Sequence, residues 1–356
     1  MNFYVRPGLV ARRAQFHSRV NLLISVVVPA HNAARTLETC LQALNQQSLS
    51  RFEYEVIVVD DGSTDATAWI AKAATARVAT SGRDGHPAGP AAARNVGVRE
   101  AYGDVILFTD ADCEPLPDWI ERMAAPFVDP GVVGVKGAYR SRQRELIARL
   151  TQAEFEDKYA RMRRRTMIDF VDTYSAAYRR DALLRAGGFD ETFPLASVED
   201  VELSFRLAEQ GARLLFAPEA RVWHLHATSL WLYLRKKARY GFWRALVYRW
   251  HPGKIRGDSH TDPILKFQFA LVALTGLCVL AALADGRLLM LASVPGVALV
   301  ATTLPFAVRS WPRDPVAALI APPVHILRAI VQAGALAFGL VVHSLPGCSP
   351  ARPCGK

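Results

Sequence analysis

Three runs of apolar, mostly β-branched residues, each stopping abruptly at polar side chains, constrain this chain most. They are LLISVVV at residues 22–28, YEVIVV at 54–59 and VILFT at 105–109. A continuous apolar run of this length suits a strand covered on both faces, as in a parallel sheet. The segments between them read as helices. Asn32 is placed to cap one that carries Leu37, Leu41 and Leu44 at helical spacing, and Asp65 to cap another over 67–74. A short strand is expected near 77–80, a Gly/Pro loop at 82–89 and a helix over 90–102. The alternation predicts right-handed βαβ units and a mostly parallel α/β sheet flanked by helices. Further on, a helix is expected over 144–165, a strand over 172–178 and a loop at 187–191. Glu199-Asp200 then opens an amphipathic helix closed by Gly211.

Ligands of such sheets collect at the carboxyl ends of the strands. The polar residues found there are Pro29-Ala30-His31-Asn32, Asp60-Asp61 and Asp110-Ala111-Asp112, and they are expected on one rim. Alternate residues of an extended chain point the same way, so Asp110 and Asp112 should share a face. Two like charges held this close repel. A hard divalent cation, Mg²⁺ or Mn²⁺, relieves the repulsion and characteristically shares its shell with phosphates. The other reading of the pair is a cap or a solvated loop. Glu199-Asp200 likewise reads either as a helix N-terminus favoured by the macrodipole or as a proton acceptor. No G-x-G-x-x-G follows the first run, which argues against a dinucleotide-dependent dehydrogenase.

The apolar excess collects after residue 263. Residues 264–284 and 288–308 are each just long enough for a transmembrane helix of ~20 residues, with Asp285-Gly286-Arg287 as the hairpin between them. A third span is expected at about 326–345, displaced by Pro322-Pro323 and Arg328. Residues 251–263 form a polar linker. Before it, residues 229–250 (SLWLYLRKKARYGFWRALVYRW) mix aromatic and basic residues with no acids. That suits a helix lying at a membrane surface, with an ordinary packed helix as the alternative. The chain carries 43 Lys and Arg against 33 Asp and Glu, a net charge of +10, concentrated at 6–19, 158–165 and 235–249. Such clusters suit anionic lipid or phosphorylated substrates. No nucleic-acid-binding signature accompanies them. The basic segment 1–21 lacks the apolar core of a secretory leader, and the five cysteines show no disulfide or zinc spacing, so reduced cysteines are expected. Residues 346–356 read as a tail. Basic flanks place the 22–250 region and the 309–315 loop on the inner side of the cell membrane.

The motifs VVVPAHNAARTL, VIVVDDGSTDAT, AAARNVGVREAYGDVILFTDADCEP, GGFDE and EDVELSFRLAEQG stand here in order. In that order and spacing the chain resembles the family 2 glycosyltransferases of the GT-A fold over about residues 24–211, with weaker similarity to near 241. The resemblance implies a nucleotide-sugar donor, most commonly a UDP-sugar, a divalent cation, and inversion at the anomeric carbon. It assigns Pro29, Ala30, His31, Asn32, Asp60, Asp61 and Arg94 to the nucleotide. Asp110 and Asp112 match the D-x-D position, with Asp112 on the metal and Asp110 on the ribose and the metal shell. Glu199 and Asp200 match the E-D pair, with Asp200 as general base. His224, and less so His226, falls where related enzymes place a histidine near metal or diphosphate, with a packed histidine as the alternative. Lys236-x-x-Arg239-Tyr240 stands where processive members carry Q-x-x-R-W. Arg239 retains the cation for the diphosphate, while the replaced Gln and Trp argue against polymer synthesis. His31 departs from the aromatic residue common at its position.

The function expected is a membrane-anchored, non-processive transfer of one sugar to a lipid-linked or glycan acceptor. Two alternatives stand beside it: transfer to a polyprenyl phosphate held by KYARMRRR (158–165), and an inactive sugar-nucleotide-binding scaffold at the membrane.

Overall fold

The computed structural model describes residues 22–83 and 85–345. The basic segment 1–21 and the tail 346–356, with Cys348 and Cys354, lie outside the described residues. The described residues divide into two compact units, one of residues 22–83, 85–140 and 165–224, the other of 141–164 and 225–345.

Among the described residues, the first unit is built on eight strands: β1 (Ile24–Ala30), β2 (Tyr54–Asp61), β3 (Arg77–Gly82), β4 (Val105–Phe108), β5 (Glu114–Pro115), β6 (Val132–Arg140), β7 (Ala176–Arg179) and β8 (Arg213–Trp223). They form one sheet in the order β3-β2-β1-β4-β7-β6-β8-β5. The four strands β3, β2, β1 and β4 run parallel, as the apolar runs predict. The sheet is mixed overall, because β7 lies antiparallel between β4 and β6, and β5 antiparallel to β8. The strand expected over 172–178 is shorter, since Thr173–Ser175 is a 3-10 turn that delivers the chain into β7.

Helices α1 (Leu37–Asn45), α2 (Thr67–Ala73), α3 (Pro90–Glu100) and α4 (Trp119–Ala124) follow the early strands. Asn32 does not cap α1. It sits at φ 48°, in the left-handed region its short polar side chain tolerates, and α1 begins after Thr36. Helix α3 lies directly on β1. A Cβ at Gly97 would collide with the methyls of Val27, so this helix needs its run of small residues. Chain order reverses at β1, which pairs with both β2 and β4. That is the switch point at which an open α/β sheet leaves a crevice. Ala30 stands opposite Asp60, and Phe108 opposite Val27, so the polar ends of β1, β2 and β4 share one rim. Helices α6 (Arg180–Arg185) and α7 (Glu199–Glu209) complete the unit.

The second unit is helical: α5 (Leu146–Met162), α8 (Leu230–Trp250), α9 (Pro263–Ala282), α10 (Leu289–Ala301), α11 (Leu304–Ser310) and α12 (Pro315–Val342). Among the described residues, three segments are long and apolar enough to cross a membrane: Pro263–Ala282, Gly286–Ser310 and Pro315–Val342, with mean hydropathies of 2.0, 1.8 and 1.7. Leu277, Leu280, Leu283, Met290 and Val294 all face outward, as a lipid-facing surface requires and an aqueous one disfavours.

The third segment differs from expectation. Pro322 and Pro323 do not break it, and α12 runs unbroken through both. An interior proline sacrifices a hydrogen bond and costs ~3 kcal/mol. Packing holds the turn together, because Ala317, Ala321 and Val324 are buried in a cluster with Leu150, Tyr233 and Phe306. The residues of α8 do not sort into an apolar and a charged face. Arg244 and Trp250 are both buried, whereas Trp231 and Arg235 are both exposed. The helix packs lengthwise on α12 across two glycines. A Cβ on Gly241 would meet the Gln332 carbonyl, and one on Gly339 would meet the Phe242 carbonyl.

Candidate active site

The loop after β1 is stitched to the loop after β2. His31 Nδ1 lies 2.7 Å from the Asp61 carbonyl oxygen, the Asn32 amide donates to Ser63 Oγ (2.9 Å), and Asn32 Oδ1 accepts from the Thr64 amide (2.9 Å). These bonds use the left-handed turn at Asn32 and leave the His31 ring exposed on the rim. Asp60 is half-buried and accepts from the Ser63 amide with one oxygen (3.2 Å). Asp61 corrects the expectation that both acids face a ligand. It is buried, with Oδ1 accepting from Ser81 Oγ (2.7 Å) and the Ala88 amide (2.8 Å), and Oδ2 from the Gly89 amide (2.9 Å). Its carboxylate is spent on holding the loop over 81–89.

Arg94 comes from α3 and is 3% exposed. Its Nη1 donates to Glu199 Oε1 (2.9 Å) and its Nη2 to Asp110 Oδ1 (3.0 Å). The guanidinium also lies 5.7 Å from the centre of the Phe189 ring. Burial works against its charge, but Asp110, Glu199 and Asp200 outweigh it and push its pKa upward. The next residue, Asn95, is a positioning residue that the sequence reading missed. Its Nδ2 donates to the Phe189 carbonyl and to Glu191 Oε1 (both 2.8 Å), and its Oδ1 accepts from the Phe189 amide (2.8 Å). Gly188 makes this possible. It takes φ +74°, and a Cβ there would run into Asn95 Oδ1. The A-R-N and G-G-F-D-E segments are therefore two sides of one joint.

Glu199 opens α7. It is held by Arg94 on one oxygen and by the Ser197 amide (2.8 Å) on the other. Asp200 follows, buried, with Oδ1 accepting from the Val201 amide (2.8 Å). Burial first, and then the neighbouring Glu199 and Asp172 carboxylates, push its pKa up to about 8; Arg94 opposes the shift. Beneath it lies a buried pair that the sequence reading also missed. Lys136 of β6 bonds Asp172 and sits over the rings of Tyr139 and Phe170. The signal was a single lysine inside the apolar strand VVGVKGAYR.

Asp110 and Asp112 do not share a face. Residues 109–113 leave the strand and turn, with the Cys113 amide donating to the Asp110 carbonyl (3.0 Å), so strand alternation does not apply there. Asp110 turns to Arg94. Asp112 instead gathers with Cys113 and His224, their donor atoms all within 4.8 Å of one another. His224 is buried, stacked on Tyr139 (centroids 5.4 Å apart) and beside Tyr174 (4.8 Å). The carboxylate suits Mn²⁺ or Mg²⁺, and an imidazole beside it favours the transition metal of the two, Mn²⁺. Burial holds the Cys113 thiol protonated, its pKa well above the usual range, so it is not a ligand for a hard cation. The donor set therefore fits a divalent metal through Asp112 and His224, with Asp110 outside the cluster.

His226 and Arg239 belong to the second unit. His226 stacks on Phe155 (5.5 Å) and bonds Gln152 Oε1 (2.9 Å), a packed histidine. The site described above is made wholly of first-unit residues.

Residues 25–186 match the family described as Glycosyl transferase family 2. These residues form a family 2 glycosyltransferase domain. The domain's relatives include the pre-mycofactocin glycosyltransferase of Mycobacterium tuberculosis, 33% identical over 243 residues, 65% of this chain and 48% of that protein. Glycosyltransferase AglE of Haloferax volcanii is 30% identical over 203 residues, 54% of this chain and 64% of that protein. The chain thus spans between about half and two thirds of the length of these curated relatives. Among solved structures, the mannosyltransferase PcManGT from Pyrobaculum calidifontis, in complex with GDP-Man and Mn²⁺, superposes with a TM-score of 0.55 at 19% identity, covering 94% of each chain. That likeness shows a GT-A-like fold.

Proposed function

We propose that the protein transfers one sugar from a nucleoside diphosphate, with inversion, to a lipid-linked or glycan acceptor. It works at the inner face of the cell membrane, anchored as a multi-pass protein by its apolar helices. The observation that carries this reading is the two-ended grip of Arg94, which brings Asp110 and Glu199 together beside Asp200. The relatives that match the domain are themselves named as glycosyltransferases.

His31, Asn32 and the outward oxygen of Asp60 line the rim where base and ribose would lie, with Pro29 and Ala30 forming its floor. UDP is the expected carrier. Asp61 keeps the adjoining loop in place. Arg94 holds Asp110 toward the ribose and fixes Glu199, which in turn sets the start of α7. Asp200 accepts the acceptor hydroxyl's proton while that oxygen bonds the anomeric carbon. The bond from that carbon to the diphosphate breaks, and its electron pair leaves with the diphosphate. A divalent cation held by Asp112 and His224 supplies neutralisation of that leaving charge when bound.

The test is a donor screen with the full chain in detergent, using UDP- and GDP-sugars, Mn²⁺ or Mg²⁺, and the host's own lipid extract as acceptor. The expected result is nucleoside diphosphate release coupled to a product of inverted anomeric configuration. A product that retains the donor's configuration, or no turnover of any donor, overturns the reading.

A further inference from the structure

Lys136 is fully buried in β6, between β7 and β8, opposite Ala176 on one side and Phe216 on the other. Its ammonium pairs with Asp172, itself buried, and lies 5.3 Å from the centre of the Tyr139 ring and 5.5 Å from that of Phe170. Replacing a buried ion pair by apolar residues of similar volume is often neutral or stabilising, so stability alone does not account for charges here. Their surroundings do.

The segment that carries Asp172 is tied down on two sides. Toward the sheet it crosses β6 at Gly137, where a Cβ would run into Ser175 Oγ, and Trp119 Nε1 donates to that same oxygen (2.8 Å). Toward α7, the Val171 amide donates to Ser204 Oγ (3.0 Å). The Ser204 hydroxyl, one helical turn after Asp200, donates to the Asp200 carbonyl (2.6 Å). One serine thus joins the residue before Asp172 to the turn that begins at Asp200. The Tyr178 hydroxyl adds a further bond to the Val171 carbonyl (3.4 Å).

Five charged or titratable groups surround Asp200: Glu199 on its own helix, Asp172 from the loop before β7, Arg94 from α3, Lys136 from β6 and Tyr178 from β7. Arg94 is shared between Glu199 and Asp110, and Lys136 is bonded to Asp172. Like charge from Asp172 adds to burial and Glu199 in raising the proton affinity of Asp200. A carboxylate of higher proton affinity is a stronger base once ionised.

We propose that Lys136 and Asp172 are positioning residues for sugar transfer that act through Asp200: Lys136 holds Asp172 ionised and in place, and Asp172 disfavours a second negative charge beside it. The inference rests on the reading of Asp200 as the base.

The test measures kcat/KM against pH and the Tm, with the full chain in detergent, a nucleotide-sugar donor that the parent turns over and the host's lipid extract. Asp172→Asn is expected to move the midpoint of the rising limb down by ~1 pH unit, the size of one close charge. The double change Lys136→Met/Asp172→Asn removes the cation as well, leaves no buried charge unpaired and should shift the midpoint down by less. It also serves as the second variant should the first not fold. Asp129→Asn breaks the exposed pair with Arg213 and should leave the midpoint within ~0.3 pH unit of the parent's. A midpoint that stays or rises in the active variants overturns the proposal, whatever the Tm does, and so does an equal shift in Asp129→Asn. Failure of the base reading is separable, because it is seen before residue 136 or 172 is changed: Asp200→Asn then transfers as well as the parent.

Discussion

Arg94 and Glu199 stand 105 residues apart in the sequence and 2.9 Å apart in the fold, both almost fully buried. The same guanidinium holds Asp110, so one side chain joins the end of β4 to the start of α7. Removing one partner of such a buried pair leaves uncompensated charge and costs ~3–5 kcal/mol. Arg94→Ala should therefore lower the Tm by roughly 10 °C and abolish turnover. Arg94→Lys, a point charge without the fork, should recover stability in part while transfer stays low. Thermal unfolding and donor turnover measured on the same samples check both.

Asp200 carries the sharpest kinetic expectation. Asp200→Asn should leave donor affinity unchanged and reduce transfer by ~10²–10⁴, the usual contribution of a positioned base. Isothermal titration with the donor, alongside product formation, separates the two. Unchanged transfer would remove the base assignment.

The raised pKa of Asp200, about 8, also fixes the sign of two pH effects. Only the ionised carboxylate accepts a proton, so kcat/KM should climb about tenfold per pH unit below 8 and level off above it. In the unfolded chain the same group titrates near ~4. The folded state then holds the proton more tightly, and its stability falls as pH rises from about 4 to about 8. Asp200→Asn should be more stable than the parent at pH 8, with the gap closing toward pH 4. Melting curves across that window check it.

Asp60 and Asp61 are neighbours whose replacement should have opposite signatures. Asp61→Ala strands the Ser81 hydroxyl and the amides of Ala88 and Gly89, at ~1–3 kcal/mol for each group left buried without a partner. It should depress the Tm and with it everything else. Asp60→Ala should leave the Tm unchanged and raise the donor KM. A Tm profile set against donor KM for the two variants decides it.

Chelator should abolish turnover, and added Mn²⁺ or Mg²⁺ should restore it. Asp112→Asn and His224→Ala should each raise the metal concentration for half-maximal rate by at least ~10-fold, the size seen on disturbing even outer-shell partners. Cys113→Ser should change it little, because the thiol is held protonated.

The sequence reveals what depends on pattern. Apolar runs foretell β1, β2 and β4, and the register of Ala30 with Asp60 puts their polar ends together as expected. It does not reveal what depends on a side chain's direction. Asp60 and Asp61 are chemically identical in the sequence, yet only the sheet decides that Asp61 turns inward. Pairing Asp110 with Asp112 requires an extended backbone, and one turn bond to the Asp110 carbonyl undoes that geometry. Pro322-Pro323 is a local stop signal overridden by packing from segments far away in the chain, Leu150 and Tyr233 among them. Lys136 was visible as an oddity in its strand, but its partner Asp172 lies 36 residues on and only the fold brings them together.

Gly241 and Gly339 each admit the backbone of the opposite helix where any side chain would stand. A single methyl at either point must wedge α8 and α12 apart over their shared length. Substitution along this seam is consequently not a matter of independent positions. Drift at one glycine demands a matching retreat of the facing chain, so the spacing of the two helices is among the least negotiable dimensions of the molecule.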